Sequence, residues 1–453
     1  AKRITVNLSP ADIPKKGTCL DLPIAIGILC GLGILPAQVL EQTFFAGELG
    51  LDGSVHACNG ILSMLQRAET ENCCRFFLPK ENRYEASVAE CIEVIGIKSL
   101  NEVIAILKGK GYKQQAALNL ESLLGKQETS STELDFNQII GQESMKRAIK
   151  VAVAGRHNLL LIGPPGSGKT MAAKRIPGIL PGLTAKECRE VSCIYSAAGQ
   201  LGQESFILRR PFRTVHHSAT MQAIIGGGRY PKPGEISLAH TGILFLDEYA
   251  EFSVPVLDAL RQPMEDRKIC ITRVNRKYVF PADFMLVAAM NPCKCGYYPD
   301  RNRCRCQEQE VSRYLHRISG PLLDRIDVAV FVPQVRTEQL EQRQAGESSA
   351  DMRRQIQKAW EIQKERYRGT DIVFNGQLQD GQTAYYRNCS LEAKQLLKQA
   401  AAALEISARG YYKIIKTART IADLEGSELI ESPHIAEAVS YRTSDLHRLV
   451  GTG

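Results

Sequence analysis

The sequence predicts an α/β chain. It has a core built on a parallel sheet, a helical C-terminal region, and a smaller α+β domain in front. Three observations predict it. The octapeptide GPPGSGKT at residues 163–170 sits between an apolar run, 158–162, and a helix-forming stretch, 171–175. Residues 133 to about 335 repeat strand-to-helix patterns and carry two further apolar runs, at 243–246 and 284–290. Residues 1–107 alternate short apolar strands with helical stretches.

The elements follow in order. The opening AKRITVNLSP reads as a strand, so the chain is expected to start inside a domain with an N-terminal piece missing. Leu22 to Ile34 reads as a helix and Arg75 to Leu78 as a strand. Residues 108–132, rich in Lys, Gln, Ser and Glu, read as a linker with one helical turn. The core is expected over 133–340, and a connecting helix and loop over 341–390, with 349–367 as a charged amphipathic helix. Residues 391–453 form the helical C-terminal domain, a bundle broken at Gly426 and Pro433. No internal repeat is present.

Composition excludes some classes. Of 453 residues, 23% are charged and 44% hydrophobic, ordinary values for a globular chain with a sizeable core. No apolar run reaches membrane-spanning length and no secretory signal is evident, so no membrane partner is expected. Fourteen cysteines in such a chain point to a reducing cytoplasm, with free thiols or a metal site rather than disulfides. The net charge of +8 permits contact with nucleic acid without demanding it.

The octapeptide fits the phosphate-binding pattern G-x-x-x-x-G-K-[ST] at every fixed position. Gly163, Gly166 and Gly168 let the backbone curl, so that N–H groups of the stretch Gly163, Pro164, Pro165, Gly166, Ser167 and Gly168 face phosphates. Lys169 would reach the β- and γ-phosphates of ATP, and Thr170 would ligate magnesium. A plain glycine turn before a helix is the alternative. Strand, helix and fixed positions together weigh against it.

Hydrolysis needs more. Residues 243–248 read ILFLDE, an apolar strand ending in two acids where ligands of open α/β sheets sit. Asp247 would hold the magnesium shell and Glu248 would polarise water. The run 284–290 ends in Asn291, which suits orienting that water and equally suits a turn before Pro292. Arg325, in LLDRID, can act as a finger on a neighbouring subunit's γ-phosphate or as an ordinary surface pair.

Residues 293–306, CKCGYYPDRNRCRC, place Cys293, Cys295, Cys304 and Cys306 on a turn-rich loop. They fit a structural zinc site, with no open position for catalysis, or four reduced thiols. The tight C-x-C spacing departs from the usual C-x₂-C.

The order of phosphate loop, LDE strand, asparagine strand, LLDRID and helical lid resembles an AAA+ ATPase. The segments RPFRTVHHSAT, IIGGGRYPKPGEISLAHTGILFLDE, LRQPMED and ISGPLLDRID resemble the magnesium-chelatase-like ATPases of the ComM (YifB) type, over nearly the whole chain. That resemblance implies that Arg325 is the arginine finger, Arg409 the sensor-2 arginine of the lid, and the segment holding Ile140 and Gly141 the one that packs on adenine. It implies a homo-hexamer that drives branch migration of DNA during natural transformation. It also implies that basic residues in two insertions face a central pore: Arg213, Arg229 and Lys232 in one, Arg273, Arg276 and Lys277 in the other. There they would grip DNA without regard to sequence. A solvated charged face is the alternative for any one of them, and a structural role is open for His216 and His217. Two other functions are carried: a remodelling subunit for metal insertion, as in magnesium chelatase, and an ATP-dependent protease. The first hundred residues resemble the Lon protease domain, in IPKKGTCLDLPIAIGIL, GELGLDGSVHACNGIL and RFFLPKENRYE. Asp21 and Leu62 stand where that family has its serine and lysine, and neither can do their chemistry. Thr18 and Ser63 are nearby hydroxyls without an evident basic partner. The domain is therefore expected to be inactive.

Overall fold

The computed structural model describes residues 3–8, 18–89, 91–112, 120–128, 134–201, 206–228, 231–273, 276–335, 346–378 and 388–442. Contacts divide the chain into two units. One holds 1–130, 183–209 and 271–278; the other holds 131–182, 210–270 and 279–453. Residues 183–209 and 271–278, which lie inside the expected ATPase core in sequence, thus group with the first unit.

The first unit is built on a three-stranded parallel sheet. Arg75–Pro79 lies in the middle, flanked by Thr43–Phe45 and Glu93–Ile97. Phe76, Phe77 and Leu78 are fully buried, as expected of a strand covered on both faces. Phe77 packs with Leu22 and Ile26 of the helix Asp21–Gly31 and with Val103 of the helix Leu100–Leu107. Phe76 packs on the other side with Ile61, Leu62 and Leu65 of the helix Ile61–Thr70 and with Cys188 of the helix Ala185–Ala198. That last helix starts at a capping box, in which Thr184 and Glu187 satisfy each other's backbone N–H groups. Two sequence expectations need correction here. Among the described residues, 3–8 are assigned to no strand, although Ile4, Val6 and Leu8 alternate as in a strand; all three are exposed. The expected linker carries a helix of more than two turns, Leu120–Glu128, anchored by buried Leu120.

The second unit carries a five-stranded sheet in which every pairing is parallel. Its order is Val328–Phe331, Leu159–Ile162, Met285–Met290, Ile243–Leu246, Phe212–Val215. Four of these strands are almost continuously apolar, and Leu159–Ile162, Ile243–Leu246 and Met285–Met290 are buried at every position. The register sets Ile162 beside both Met290 and Phe331, and Leu246 beside Ala288. The C-terminal ends of the three central strands therefore open onto one edge, where ligands of such sheets collect.

The helices Glu143–Gly155, Ser349–Arg366, Ala408–Glu425 and Ser432–Ser440 share one core with the sheet, through Ile149, Val153, Ile356, Ala359, Ile421 and Ile435. The bundle breaks where the sequence placed them: Gly426 caps the long helix in the left-handed region, φ 71°, and Pro433 sits in the first turn of the next. No helix among the described residues is long and apolar enough to cross a membrane.

Candidate functional site

The phosphate loop leaves the strand Leu159–Ile162 at Gly163. A Cβ there would stand 2.2 Å from the carbonyl oxygen of Val332, so only glycine lets the loop pass the neighbouring chain. Gly166 and Gly168 take φ of 75° and 94°, and the helix Lys169–Ala173 begins directly after. Lys169 turns back into the loop. Its Nζ donates to the carbonyls of Gly163 at 2.6 Å and Pro164 at 2.8 Å, and lies 3.5 Å from Ser167 Oγ and 3.4 Å from Asn291 Oδ1. Burial pushes the ammonium down to about 8 from its usual 10.5, against the opposing pull of Asp247. A cation held in that state gains from an arriving phosphate.

Thr170 Oγ1 donates to Asp247 Oδ2 at 2.8 Å, bringing hydroxyl and carboxylate to one point. This is an all-oxygen donor pair of the kind magnesium prefers. Asp247 also accepts the backbone N–H of Glu248 at 3.0 Å. Glu248 is in the left-handed region, φ 53°, which a non-glycine residue occupies at a cost and which clusters at functional sites. Its half-exposed carboxylate meets His217 Nδ1 at 3.0 Å. The site thus joins Lys169, Thr170, Asp247, Glu248 and Asn291, and adds His217, which sequence reasoning had left between structural and basic roles. The signal lay in the register: Val215 pairs with Leu246, so His217 and Glu248 each stand two residues past paired strand ends.

The segment with Ile140 and Gly141 lies beside this loop. Gln142, φ 59°, donates from Nε2 to the carbonyls of Ser167 at 3.3 Å and Pro333 at 2.6 Å. Ile140 and Gly141 are half-buried, and Gly141 is in the left-handed region.

Arg325 and Arg409 are placed elsewhere. Arg325 donates to the Pro321 carbonyl at 2.6 Å and pairs with Glu265 at 2.5 Å. Arg409 reaches the same Glu265 at 3.9 Å. Both line a charged cleft of about 430 Å³ with Arg267, Lys413 and Lys416, and no phosphate-loop residue lines it. The two arginines are thus brought together, but apart from Lys169.

The basic candidates separate. Arg213 is held by Glu235 through two bonds, 2.6 and 2.8 Å. Lys232, on a two-residue strand paired with Gly226–Gly227, and Lys277, on the second arm of the hairpin Lys268–Arg273 and Arg276–Pro281, are exposed. Arg229 and the side chains of Arg273 and Arg276 lie outside the described residues. Arg210 belongs to the scaffold: buried, it donates to the carbonyls of Pro181, Gly182 and Thr241.

The cysteine loop closes on itself. The Sγ atoms of Cys293, Cys295, Cys304 and Cys306 all lie within 4.8 Å of one another. Burial pushes the Cys295 thiol up. The Tyr297 N–H and the other three thiols outweigh it and hold the group down at about 7. In the first unit, Asp21 is half-buried near the Leu49 N–H, Leu62 is buried, Ser63 is exposed, and Thr18 donates to the Glu48 carboxylate.

Comparison with known proteins adds the following. Residues 135–340 match the family described as magnesium chelatase, subunit ChlI; 346–442 match its C-terminal family, and 1–82 match subunit ChlI of Mg-chelatase. The chain is 43% identical over 446 residues to competence protein ComM of Haemophilus influenzae, covering 98% of this chain and 86% of that one. It is 39% identical over 446 residues to the uncharacterized protein YifB of Escherichia coli, with the same coverage. Likeness to Lon protease 2 of Bacillus subtilis is partial: 27% identity over 195 residues, 38% of this chain and 35% of that one.

Proposed function

The chain belongs to the magnesium-chelatase-like AAA+ proteins of the ComM and YifB type, and from that premise we propose that it is a homo-hexameric, ATP-hydrolysing DNA motor. The observation that carries this reading is the division of the site. Lys169, Thr170, Asp247, Glu248 and Asn291 converge at three strand ends, while Arg325 and Arg409 wait in a separate cleft on one carboxylate. A subunit so built holds ATP with one surface and offers cations to a neighbour's ATP with another.

In this reading Lys169 binds the β- and γ-phosphates, and the loop N–H groups cradle them. Thr170 and Asp247 hold magnesium, which neutralises phosphate charge when bound. Glu248 polarises the attacking water and takes its proton; Asn291 orients that water. Arg325 and Arg409 stabilise charge on the γ-phosphate across the subunit boundary. Ile140 and Gly141 pack on adenine. Residues 1–107 form a Lon-like domain without proteolytic chemistry, since neither Asp21 nor Leu62 can replace a serine or a lysine. Residues 108–132 link it to the core at 133–340, followed by the connecting segment 341–390 and the lid 391–453. The four cysteines hold a structural zinc ion. Arg213, Arg229, Lys232, Arg273, Arg276 and Lys277 contact DNA phosphates without sequence preference; the two with described, unpaired side chains, Lys232 and Lys277, are exposed. The motor works in the cytoplasm and moves branch points of recombination intermediates during natural transformation, as the likeness to a competence protein supports.

The test is a labelled branched-DNA strand-exchange assay with ATP. Wild type moves the branch; Lys169→Ala and Glu248→Gln do not. A protein that hydrolyses ATP but moves no branched or forked DNA defeats the reading. A second reading, a remodelling subunit for metal insertion, is favoured by the family description over 135–340. Metal insertion into a porphyrin, reconstituted with partner subunits and without any effect on DNA, would establish it.

A further inference from the structure

Resting on the zinc assignment above, we propose that the metal-bound cysteine loop is a positioning element for the ATP site, acting through Gly296 on Pro165 and through the chain on Asn291.

The thiols are spaced for a metal. Zinc–sulfur bonds of about 2.3 Å in a tetrahedron put sulfur atoms about 3.8 Å apart. The structure has Cys293 and Cys304 at 3.8 Å, Cys295 and Cys304 at 3.5 Å, and Cys293 and Cys295 at 3.3 Å. All fourteen cysteines are free, so no disulfide accounts for the cluster. The backbone is shaped to it: the Tyr298 N–H points at Cys293 Sγ, 3.5 Å away, Gly296 N–H closes a turn on the Cys293 carbonyl at 3.0 Å, and Cys304 N–H closes one on Asp300 at 2.7 Å. Zinc with four thiolates carries two net negative charges. Lys294, Arg301, Arg303 and Arg305 lie on the same loop, with Arg301 over the Tyr298 ring and Arg303 over the Tyr297 ring. Cys293 and Cys304 are buried, Cys306 is half-buried and Cys295 is exposed, so the centre is covered on one side.

The loop then touches the nucleotide site at two places. A Cβ on Gly296 would stand 2.7 Å from Pro165 Cδ and 2.8 Å from Cγ, so the loop lies flat against the phosphate loop with no room for a side chain. Asn291, whose amide oxygen is 3.4 Å from Lys169 Nζ, is two residues from the first metal ligand. Fixing Cys293 and Cys295 therefore fixes the span between Asn291 and Gly296, and with it the outer wall of the phosphate loop. Supporting shells of this kind hold reacting groups within the tolerance that catalysis requires.

The test uses the full chain. Metal analysis of purified wild type is expected to find about one equivalent of zinc per chain. Iron in its place overturns the zinc assignment on which the proposal rests, and less than about a tenth of an equivalent of any metal overturns the metal site. Gly296→Ala keeps all four thiols and the metal but pushes on Pro165. It is expected to keep its zinc and to raise KM for ATP or lower kcat at least about tenfold. The φ of 88° at Gly296 strains alanine as well, so the same substitution is made in a Pro165→Ala background. If the contact carries the effect, Gly296→Ala does less harm there than in wild type. Cys295→Ser, and wild type stripped by a zinc chelator in excess magnesium, are expected to lose zinc and show the same loss, with zinc restoring the stripped wild type. Unchanged KM and kcat in zinc-free protein, or in zinc-loaded Gly296→Ala, overturn the positioning role. Retained Lys169-dependent ATP hydrolysis in those same samples shows that the ATPase reading stands regardless.

Discussion

At the scale of residues, Lys169 is the most consequential. Its ammonium is held at about 8 by burial, and phosphate contact would raise it again. The sign follows: below pH 8 the free protein already carries the charge, so ATP affinity is level. Above pH 8 binding must take up a proton, and affinity is expected to fall about tenfold per unit. Titration calorimetry between pH 7 and 9.5 checks this, and a flat profile refutes it. The same depressed value means that the fold bears the charge at a cost at neutral pH, relieved only above 8. Lys169→Met is therefore expected to melt higher than wild type at pH 7 while losing ATP binding. Glu248→Gln keeps the shape but removes the proposed base, so turnover is expected to drop at least about 100-fold with KM little changed. Single-turnover hydrolysis and binding measured on one preparation decide it.

At the scale of elements, the central strands carry both stability and site. Phe245 is fully buried and stacked on Phe212 with ring centres 5.8 Å apart. Phe245→Ala is expected to destabilise the second unit by about 3–5 kcal/mol, read from urea unfolding. Gly163→Ala drives a methyl into the Val332 carbonyl and is expected to abolish ATP binding while leaving most of that stability. These strands were legible in sequence because apolar runs bounded by Gly, Asp-Glu or Asn read plainly, and the phosphate loop, Asp247, Glu248 and Asn291 followed from them. What sequence missed came from register and distance. No spacing rule ties His217 to Glu248, which only the pairing of Val215 with Leu246 brings together. The Glu265 carboxylate under Arg325 lies 60 positions away in sequence. The opening segment failed in the other direction: its alternation is a strand pattern, but residues 3–8 are assigned to no strand, and alternation alone makes no ladder.

At the scale of the whole molecule, if the ATP site is divided between subunits as proposed, mixtures of variants report it. Lys169→Ala and Arg325→Ala proteins are each expected to be inactive. Mixed, they should regain part of the ATPase rate, because an Arg325→Ala subunit can supply an intact phosphate loop to a neighbour that still has its arginine. A mixture as dead as its components would place Arg325 outside any shared site. The two arginines are not bare in the lone chain. Glu265 meets both of them, at 2.5 and 3.9 Å. Whatever anion comes to that cleft must first evict a tethered carboxylate, which stands ready to return when the visitor loosens. Such a seat is easily vacated, with short residence and quick release, and a machine that cycles needs partners that let go.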